Sequence, residues 1–232
     1  MNLFYHPDAA AGSTIPLDMD ESKHLRAFRL AEGEMVKLTN GKGLCLHCTV
    51  EWQNKQAILT AIRSEEITKD APSLSIAIAP TKNNDRLEWL VEKAIELGIQ
   101  QIILIEGDHS ERAFVKQDRL HRLAVAALKQ SQRFWLPEIS EILSFDQLVH
   151  SAQAEQKFIA HCAEDSDKKR LKHICQAGKN TLICIGPEGD FSAREIALAK
   201  SAGFQSVSLG EARLRTETAG LFAVSTFQLI NQ

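Results

Sequence analysis

Hydrophobic and polar positions follow different patterns in the two parts of the chain. In residues 1 to about 65, the apolar residues form short runs that are typical of strands. Three strands are predicted there, at residues 35–38, 44–50 and 57–62. Asn40-Gly41 indicates a β-hairpin turn between the first two, because both residue types tolerate positive φ. With Asp20 as the expected N-cap of a short helix over residues 21–28, this part is predicted to be a small, mostly β module.

From Leu74 onward, apolar strands alternate with helices. Five strands are predicted, at residues 74–79, 101–105, 156–162, 181–185 and 206–209. The helix after the first strand has apolar residues at helical spacing, namely Leu87, Leu90, Val91, Ala94 and Leu97. Asp85 and Glu88 have the spacing of a capping box at its start, and Gly98 is typical of a helix end. This alternation predicts an α/β fold with a parallel sheet that is covered on both faces.

A polar segment, residues 64–72, separates the two patterns and ends in a proline. Such segments commonly connect domains, because few contacts cross them. We therefore expect two domains, residues 1–68 and residues 73–232.

The composition is that of an ordinary globular protein, with 232 residues, 44% hydrophobic and 25% charged. No apolar run approaches the roughly 20 residues needed to cross a bilayer, so we expect no membrane partner. The first residues lack a charged region followed by an apolar core, so no signal peptide is predicted. The five cysteines are scattered, as is typical of reduced thiols, and we expect a cytoplasmic protein.

Nucleic-acid binding would require a local basic patch, because the net charge of −3 gives no overall attraction to phosphates. Two clusters of basic residues exist. The first consists of Lys23, His24, Arg26 and Arg29, and the second of Arg119, Arg122, Lys129 and Arg133, preceded by Arg112 and Lys116. A charged helical face is usually a solvated surface, so spacing alone leaves both interpretations open.

Several common types of site have no support in the sequence. Cys45-Leu46-His47-Cys48 lies in a predicted strand, where residues three apart point to opposite faces, so no metal is expected. Neither the dinucleotide-binding fingerprint nor a P-loop is present. Ser192 has the capping-box spacing to Glu195 and lacks the glycines of a nucleophile elbow, so it is expected to cap a helix.

The stretch from Leu182 to Thr226 contains three candidate ligand-binding turns. Two predicted strands in it end in glycine turns, and a third loop leads into an apolar helix over residues 216–230. Open α/β sheets bind ligands at the carboxyl ends of their strands, so the three turns could form one pocket. The same residues are also ordinary turn and capping residues, and composition alone does not decide between the two interpretations.

Segments distributed over nearly the whole chain resemble one known family. The three turns are Ile185-Gly186-Pro187-Glu188-Gly189, Leu209-Gly210 and Leu214-Arg215-Thr216-Glu217-Thr218-Ala219, and the further segments are residues 24–26, 86–98, 110–112 and 130–133. Together they resemble the bacterial ribosomal RNA small subunit methyltransferase E family, which belongs to the SPOUT superfamily of knotted methyltransferases. Asp190 departs from the family pattern, which commonly has a further glycine there.

The resemblance implies a PUA-like β-barrel over residues 1–68 and a SPOUT methyltransferase domain over residues 73–232, with a C-terminal trefoil knot. It implies methylation of N3 of a uridine in 16S rRNA of the small ribosomal subunit. S-adenosylmethionine would be the methyl donor and S-adenosylhomocysteine the product, with no metal. Family members are homodimers with the cofactor pocket near the subunit interface, and we expect the same here.

The resemblance also assigns the site residues. Those expected to bind the cofactor are His161, Ile185, Gly186, Pro187, Glu188, Gly189, Leu209, Gly210, Leu214, Thr216, Thr218 and Ala219. Those expected to bind RNA are Lys23, His24, Arg26, Arg29, Arg86, Arg112 and Arg133. Uridine N3 must lose a proton before it becomes nucleophilic. We expect Arg215 to stabilise the developing negative charge and Glu217 or Glu188 to accept the proton.

Two other functions remain compatible with the sequence. One is a non-catalytic RNA-binding or ribosome-assembly factor that has kept an inactive cofactor pocket. The other is an α/β enzyme that acts on a small molecule, in which the basic residues of the N-terminal module would have no role in binding RNA.

Overall fold

The computed structural model of the protein describes residues 2–111 and 114–232. The chain forms two compact units. The first contains the residues up to Lys69 together with Val125–Leu136, and the second contains Asp70–Ala124 and Pro137–Gln232. Residues 125–136 thus group with the N-terminal unit although they follow it by more than fifty positions in the chain.

The first unit contains a five-stranded sheet and a short helix. Its elements are β1 (Leu3–Tyr5), β2 (Thr14–Pro16), α1 (Met19–Ala27), β3 (Met35–Thr39), β4 (Leu44–Gln53) and β5 (Gln56–Glu66). The strand order is β1-β3-β4-β5-β2, in which β1 is parallel to β3 and the other pairs are antiparallel. The core lies between the sheet and α1, and its largest fully buried side chains are Phe4, Leu17, Leu25, Leu38, Leu46 and Leu59.

Two local predictions for this unit have different outcomes. The hairpin at Asn40-Gly41 is confirmed, because β3 and β4 pair antiparallel across it. The prediction that Asp20 caps α1 is wrong. The N-cap is Asp18, whose Oδ1 accepts a hydrogen bond from the backbone N of Glu21 at 2.7 Å. An acidic residue near a helix start fits either the cap or the first turn, and Asp20 occupies the first turn.

The second unit consists mainly of alternating strands and helices. In chain order they are β6 (Leu74–Ile78), α2 (Asn84–Glu96), β7 (Gln101–Glu106), α3 (Gln117–Gln130), β8 (Glu138–Ser144), α4 (Phe145–Ser151), β9 (Gln156–Ala160), β10 (Lys169–Arg170), α5 (Leu171–Ile174), β11 (Thr181–Ile185), α6 (Ala193–Ser201), β12 (Gln205–Ser208) and α7 (Thr216–Asn231). The last residues of α3 belong to the first unit.

The seven strands form one parallel sheet in the order β10-β12-β9-β11-β6-β7-β8. This confirms the predicted α/β class. β11 lies in the middle, and all five of its residues are buried, as expected for a strand covered on both faces. Because the strands are parallel, their carboxyl ends meet at the same edge of the sheet, where ligands bind in open α/β folds.

Helix α2 begins differently from the prediction. Its N-cap is Asn83, whose side chain accepts a hydrogen bond from the backbone N of Asp85 at 2.9 Å. The capping box proposed for Asp85 and Glu88 is therefore wrong, and Glu88 instead forms an ion pair with Arg119. Of the predicted apolar face, Leu87, Leu90, Val91 and Ala94 are buried and Leu97, the C-cap residue, is half-buried, and the helix ends before Gly98 as expected. Asn, Asp and Glu at adjacent positions allow more than one cap, and tertiary packing decides which one forms.

Candidate functional site

Three loops meet at the carboxyl ends of the adjacent strands β12, β9 and β11. They enclose a cavity of about 800 Å³. One loop follows β9 at residues 160–162, one follows β11 at residues 185–190, and one runs from the end of β12 to the start of α7, residues 207–216. This is the edge at which the sequence predicted a shared pocket, and the three predicted turns do come together there.

The turn after β11 contains two closely packed glycines. A Cβ on Gly186 would lie 3.1 Å from the Phe191 ring, and a Cβ on Gly189 would lie 3.0 Å from Cβ of His109. A side chain at either position would therefore be tightly packed, and the neighbouring side chain would have to move by a few tenths of an ångström. The helix that follows, α6, begins with the predicted capping box between Ser192 and Glu195.

Asp190 holds this turn against the end of β9. Its carboxylate accepts hydrogen bonds from the backbone N of Cys162 at 2.7 Å and from the backbone N of Phe191 at 2.9 Å. Its φ is 66°, a region that favours glycine. The residue that departs from the family pattern therefore keeps a glycine-like backbone and adds a side-chain link between two cavity loops.

The third loop is tied to the turn after β11 at the start of α7. Thr216 Oγ1 donates to the carbonyl oxygen of Gly186 at 3.3 Å. The helix begins at Thr216, so this residue is not its N-cap. Arg215 occupies the N-cap position, and its side chain makes no capping hydrogen bond within the described part of the chain. The Arg215 side chain is thus available to line the cavity.

His161 is a buried polar residue in the cavity wall. Its Nε2 is hydrogen-bonded to Ser206 Oγ at 3.0 Å. Its Nδ1 is buried and has no hydrogen-bond partner among residues 2–111 and 114–232. Burial lowers the pKa of His161 below its usual value, and the nearby Lys168 lowers it further. A neutral imidazole with an unsatisfied nitrogen could donate to or accept from a polar ligand.

Most of the residues expected to bind the cofactor lie together in this cavity. Those in its lining are His161, Ile185, Gly186, Pro187, Glu188, Leu209, Gly210, Leu214, Thr216 and Ala219. Gly189 and Thr218 are outside the lining, the first packed against His109 and the second exposed on α7.

Only two of the three residues that are expected to be catalytic line the cavity. Arg215 and Glu188 line the cavity, but Glu217 does not. Glu217 is 7% exposed, and its Oε1 lies 3.9 Å from Nε of Arg86. Glu188 Oε1 accepts a hydrogen bond from the backbone N of Lys82 at 3.0 Å. Among the three, Arg215 and Glu188 are thus the charged groups at the cavity.

Sequence reasoning missed several charged residues of the cavity lining. Lys168, Glu211 and Arg213 all contribute to it, beside Asp190, which the sequence had already singled out. Lys168 Nζ donates to the carbonyl oxygens of His161 and Ala163. Glu211 and Arg213 could have been identified from the sequence, because they lie between Gly210 and Leu214 in a loop that was already assigned to the pocket. Lys168 lies in a segment without any motif.

A network of charges fixes the loop after β7 to the start of α6. Arg194 pairs with Asp108 at 2.8 Å and with Asp146 at 2.9 Å, and Ser192 Oγ donates to Asp108. The hydrogen bond from Arg194, with that from Ser192, lowers the pKa of Asp108 to about 2. The fully buried Glu195 also accepts from the backbone N of Asp108 at 3.0 Å. These contacts hold residues 107–111 beside the turn that carries Glu188.

The residues expected to bind RNA are spread over both units. Lys23, His24, Arg26 and Arg29 are exposed on or just after α1. Arg26 also has a structural role, since its guanidinium stacks 4.7 Å above the Trp52 ring and donates to the carbonyl oxygen of Asn54. Arg86 and Arg133 are half-buried, the first in the second unit and the second in the first. Arg112 lies outside the described residues.

Two kinds of site are not found in the described residues. In residues 2–111 and 114–232, no group of three or more His, Cys, Asp or Glu side chains could hold a metal ion. In the same residues, none of the helices is both long enough and apolar enough to span a membrane.

Comparison with known proteins identifies the family. A family model described as an RNA methyltransferase domain matches residues 69–228. The chain is also 30% identical over 206 residues to the ribosomal RNA small subunit methyltransferase E of Mesomycoplasma hyopneumoniae (strain 232), covering 82% of this chain and 86% of that protein. The chain belongs to the ribosomal RNA small subunit methyltransferase E family.

Solved structures similar to this chain agree with membership of the methyltransferase E family. A probable rRNA-methyltransferase from Porphyromonas gingivalis matches with a TM-score of 0.92 and 37% identity, covering 100% of this chain and 98% of that one. A ribosomal RNA small subunit methyltransferase E from Neisseria gonorrhoeae, bound to S-adenosyl methionine, matches with a TM-score of 0.87 and 26% identity. This match covers 100% of this chain and 98% of that one. The second unit thus has the α/β methyltransferase fold of this family.

Proposed function

We propose that this protein methylates N3 of a uridine in the 16S rRNA of the small ribosomal subunit, with S-adenosylmethionine as methyl donor. The observation that carries the proposal is the cavity formed by the three loops at the carboxyl ends of β9, β11 and β12, in a chain of the methyltransferase E family. The Neisseria gonorrhoeae relative is bound to S-adenosyl methionine, which supports the choice of donor.

The cavity fits this cofactor in size and in chemistry. Its volume of about 800 Å³ is within the range of about 300–1,000 Å³ found for small-molecule sites. Residues 185–188 and 209–210 line the cavity and could offer backbone groups to an adenosine, and the buried Nδ1 of His161 has no hydrogen-bond partner among the described residues. The lining carries the cations Lys168, Arg213 and Arg215 together with the carboxylates of Glu188, Asp190 and Glu211, and a carboxylate is the group that suits a cationic sulfonium.

When bound, S-adenosylmethionine supplies a methyl group on a sulfonium, which leaves as a neutral thioether. The protein's own groups must then prepare the acceptor. Arg215, an exposed cation in the cavity lining, stabilises negative charge on the uridine as N3 loses its proton. Glu188 is the proton acceptor, since its carboxylate lines the cavity and is fixed by the backbone N of Lys82. Glu217, outside the lining, orients Arg86.

In the first unit, the exposed basic residues on and just after α1 hold RNA by its phosphates. Phosphate contacts position an RNA without selecting its sequence. Arg29 is the best candidate there, because Arg26 is also engaged with Trp52 and Asn54 and Lys23 forms an ion pair with Asp20. We assign this unit to the PUA-like class on the family resemblance, supported by its five-stranded sheet.

The family resemblance also leads us to propose a homodimer with a knotted C-terminal segment. Phe222 and Leu229 are 47% and 73% exposed, and their spacing of seven places them on one face of α7. An exposed apolar face of this kind fits a second copy of the chain. The contact of Thr216 with Gly186 supports a C-terminal segment threaded past the turn after β11. The protein would act on ribosomal subunits in the cytoplasm.

The reaction can be tested with purified protein, small ribosomal subunits from cells that lack the gene, and labelled S-adenosylmethionine. We expect label in 16S rRNA as 3-methyluridine. Arg215→Ala should lower turnover by about 100-fold or more, by analogy with loss of an oxyanion donor, and leave cofactor affinity within about twofold. Lys179→Ala, at the opposite edge of the sheet, is the control.

Three outcomes are informative. Intact turnover in Arg215→Ala would remove this residue from the mechanism. Cofactor binding without methyl transfer by the wild-type protein would favour a non-catalytic RNA-binding factor. Failure of RNA to bind at all would favour an enzyme that acts on a small molecule.

A further inference from the structure

A second cavity lies beside the first at the same edge of the sheet. Its volume is about 600 Å³. It is lined by residues 82–86 at the start of α2, by Glu111 and by Glu188. All of these residues belong to the second unit.

Glu188 is part of the lining of both cavities. The first cavity lies at the ends of β12, β9 and β11, whereas the second lies beyond the ends of β6 and β7. In the sheet the strands follow one another in the order β12-β9-β11-β6-β7. The two cavities therefore lie on either side of the turn after β11, and Glu188 stands where they adjoin.

The second cavity carries two cations, Lys82 and Arg86, beside three carboxylates, those of Asp85, Glu111 and Glu188. Lys82 Nζ pairs with Glu111 Oε2 at 2.8 Å, and its side chain is 78% exposed. The hydrogen bond from Glu111 raises the pKa of Lys82 above its usual value, so the ammonium stays charged. Arg86 Nε lies 3.9 Å from Glu217 Oε1, which is too long for a hydrogen bond. Its side chain is 38% exposed.

A methyl acceptor must sit next to the cofactor, because the reacting atoms have to approach to about 3–3.5 Å. An acceptor in RNA brings a phosphate with its base, so its site needs a cation as well as an opening toward the cofactor cavity. The second cavity has both: Lys82 and Arg86 for phosphate, and the wall at Glu188 for the base.

The geometry points to this second cavity as the site of the acceptor nucleotide, with Lys82 and Arg86 on its phosphate and the uracil base turned toward Glu188. The assignment rests on the proposed methyltransferase function. The target base must leave its RNA stack to enter the cavity. Asn83 is also in the lining, and while its side-chain oxygen caps α2, its amide N–H groups can donate to the polar edge of a uracil.

The test compares Lys82→Ala and Arg86→Ala with Lys93→Ala. Lys93 is a cation on the same helix, paired with Glu92 and Glu96 and outside both cavities. Binding of a 16S rRNA transcript is measured by filter binding over a range of salt concentrations, and cofactor affinity by calorimetry. Methyl transfer to small ribosomal subunits is measured in parallel for each protein.

We expect Lys82→Ala and Arg86→Ala each to weaken RNA binding by about tenfold, as for loss of a charge-assisted contact. The slope of log affinity against log salt should fall by about 0.7 for each variant, the value for one phosphate contact to a single strand. Cofactor affinity should stay within about twofold, the Michaelis constant for subunits should rise, and Lys93→Ala should behave as the wild type.

The binding data decide the assignment of the cavity, and methyl transfer by the wild-type protein decides the proposed function. Unchanged RNA affinity and salt slope in both variants would overturn the assignment even if the wild type is active. A loss of cofactor affinity equal to the loss of RNA affinity would also overturn it, because the residues would then belong to the cofactor site. If the salt slope falls in both variants but the wild-type protein transfers no methyl group, the cavity is still an RNA-binding site and the proposed reaction is wrong.

Discussion

At the scale of single residues, Asp190 shows how this chain departs from its family without losing the local shape. Its φ of 66° costs a non-glycine residue about 1–2 kcal/mol. Its carboxylate offsets part of that cost through hydrogen bonds to the backbone of Cys162 and Phe191. The sequence singled out Asp190 because the family commonly has a glycine there. Its hydrogen bond to Cys162 could not be predicted, since Cys162 lies 28 residues away in the chain.

Substitutions at Asp190 should separate the backbone effect from the side-chain effect. Asp190→Ala keeps the strain and loses the hydrogen bonds, so we expect the free energy of unfolding to fall by about 1–2 kcal/mol. Asp190→Gly relieves the strain and should lose less. Asp190→Asn tolerates this conformation but has one acceptor oxygen and keeps only one of the two hydrogen bonds, so its stability should lie between those of the wild type and the alanine variant. Denaturant unfolding at one protein concentration measures the series, and equal stability of the alanine and asparagine variants would contradict it.

His161 predicts a dependence of stability on pH. Burial and Lys168 lower its pKa below the usual 6.5, and Lys200 acts in the same direction, whereas Asp190 and Asp165 partly oppose the shift. A lowered pKa means that the unfolded chain binds the proton more readily. The contribution of the neutral ring is therefore complete above pH 6.5 and is lost as the pH falls through the folded-state pKa.

The measurement compares unfolding of the wild type and of His161→Gln between pH 8 and pH 5. The variant should lose less stability over this range than the wild type. Parallel curves for the two proteins would show that His161 does not contribute to the pH dependence.

At the scale of elements, periodicity predicted the strands best where they are buried. β11 was predicted with its observed bounds, and seven further strands were found within a few residues of their ends. β1 and β2 were missed because three residues are too few to show alternation. β8 was missed because it is an edge strand with mixed polar residues and an irregular register against β7. β10 has only two residues.

Helix caps were less predictable than helices. Several polar residues at a helix start can each accept the same hydrogen bonds, and the sequence alone does not rank them. The two caps that were misassigned, at α1 and α2, both have another Asn or Asp within two positions of the observed cap. The capping box of α6 was predicted correctly, because Ser192 and Glu195 satisfy both of its hydrogen bonds.

Helix α1 offers a matched pair for testing the cap assignment. Asp18→Ala should lower the free energy of unfolding by about 1 kcal/mol, because the backbone N of Glu21 loses its acceptor. Asp20→Ala removes an exposed ion pair with Lys23 and should change stability by less than about 0.5 kcal/mol. Denaturant unfolding compares the two variants. A larger loss for Asp20→Ala would mean that the cap is assigned to the wrong residue.

At the scale of the whole molecule, the sequence predicted the lining of the first cavity, the proposed cofactor site, better than the lining of the second, the proposed acceptor site. The cofactor loops carry glycines and recognisable segments, so their residues could be assigned one by one. The second cavity depends on Lys82, Glu111 and Glu188, which are far apart in the chain and meet only because β6, β7 and β11 are neighbours in the sheet. Strand order is a tertiary property, and no local pattern encodes it. The grouping of residues 125–136 with the first unit is also a tertiary property, and no local pattern in the sequence predicts it.

The central claim is that this protein places a methyl group on N3 of a uridine in 16S rRNA. The most direct test is mass spectrometry of nucleosides from 16S rRNA of cells with the gene, without it, and without it but carrying Arg215→Ala. We expect 3-methyluridine to be present in the first, absent in the second and lowered in the third, and the wild-type gene should restore it. An unchanged 3-methyluridine signal in cells that lack the gene would contradict the account.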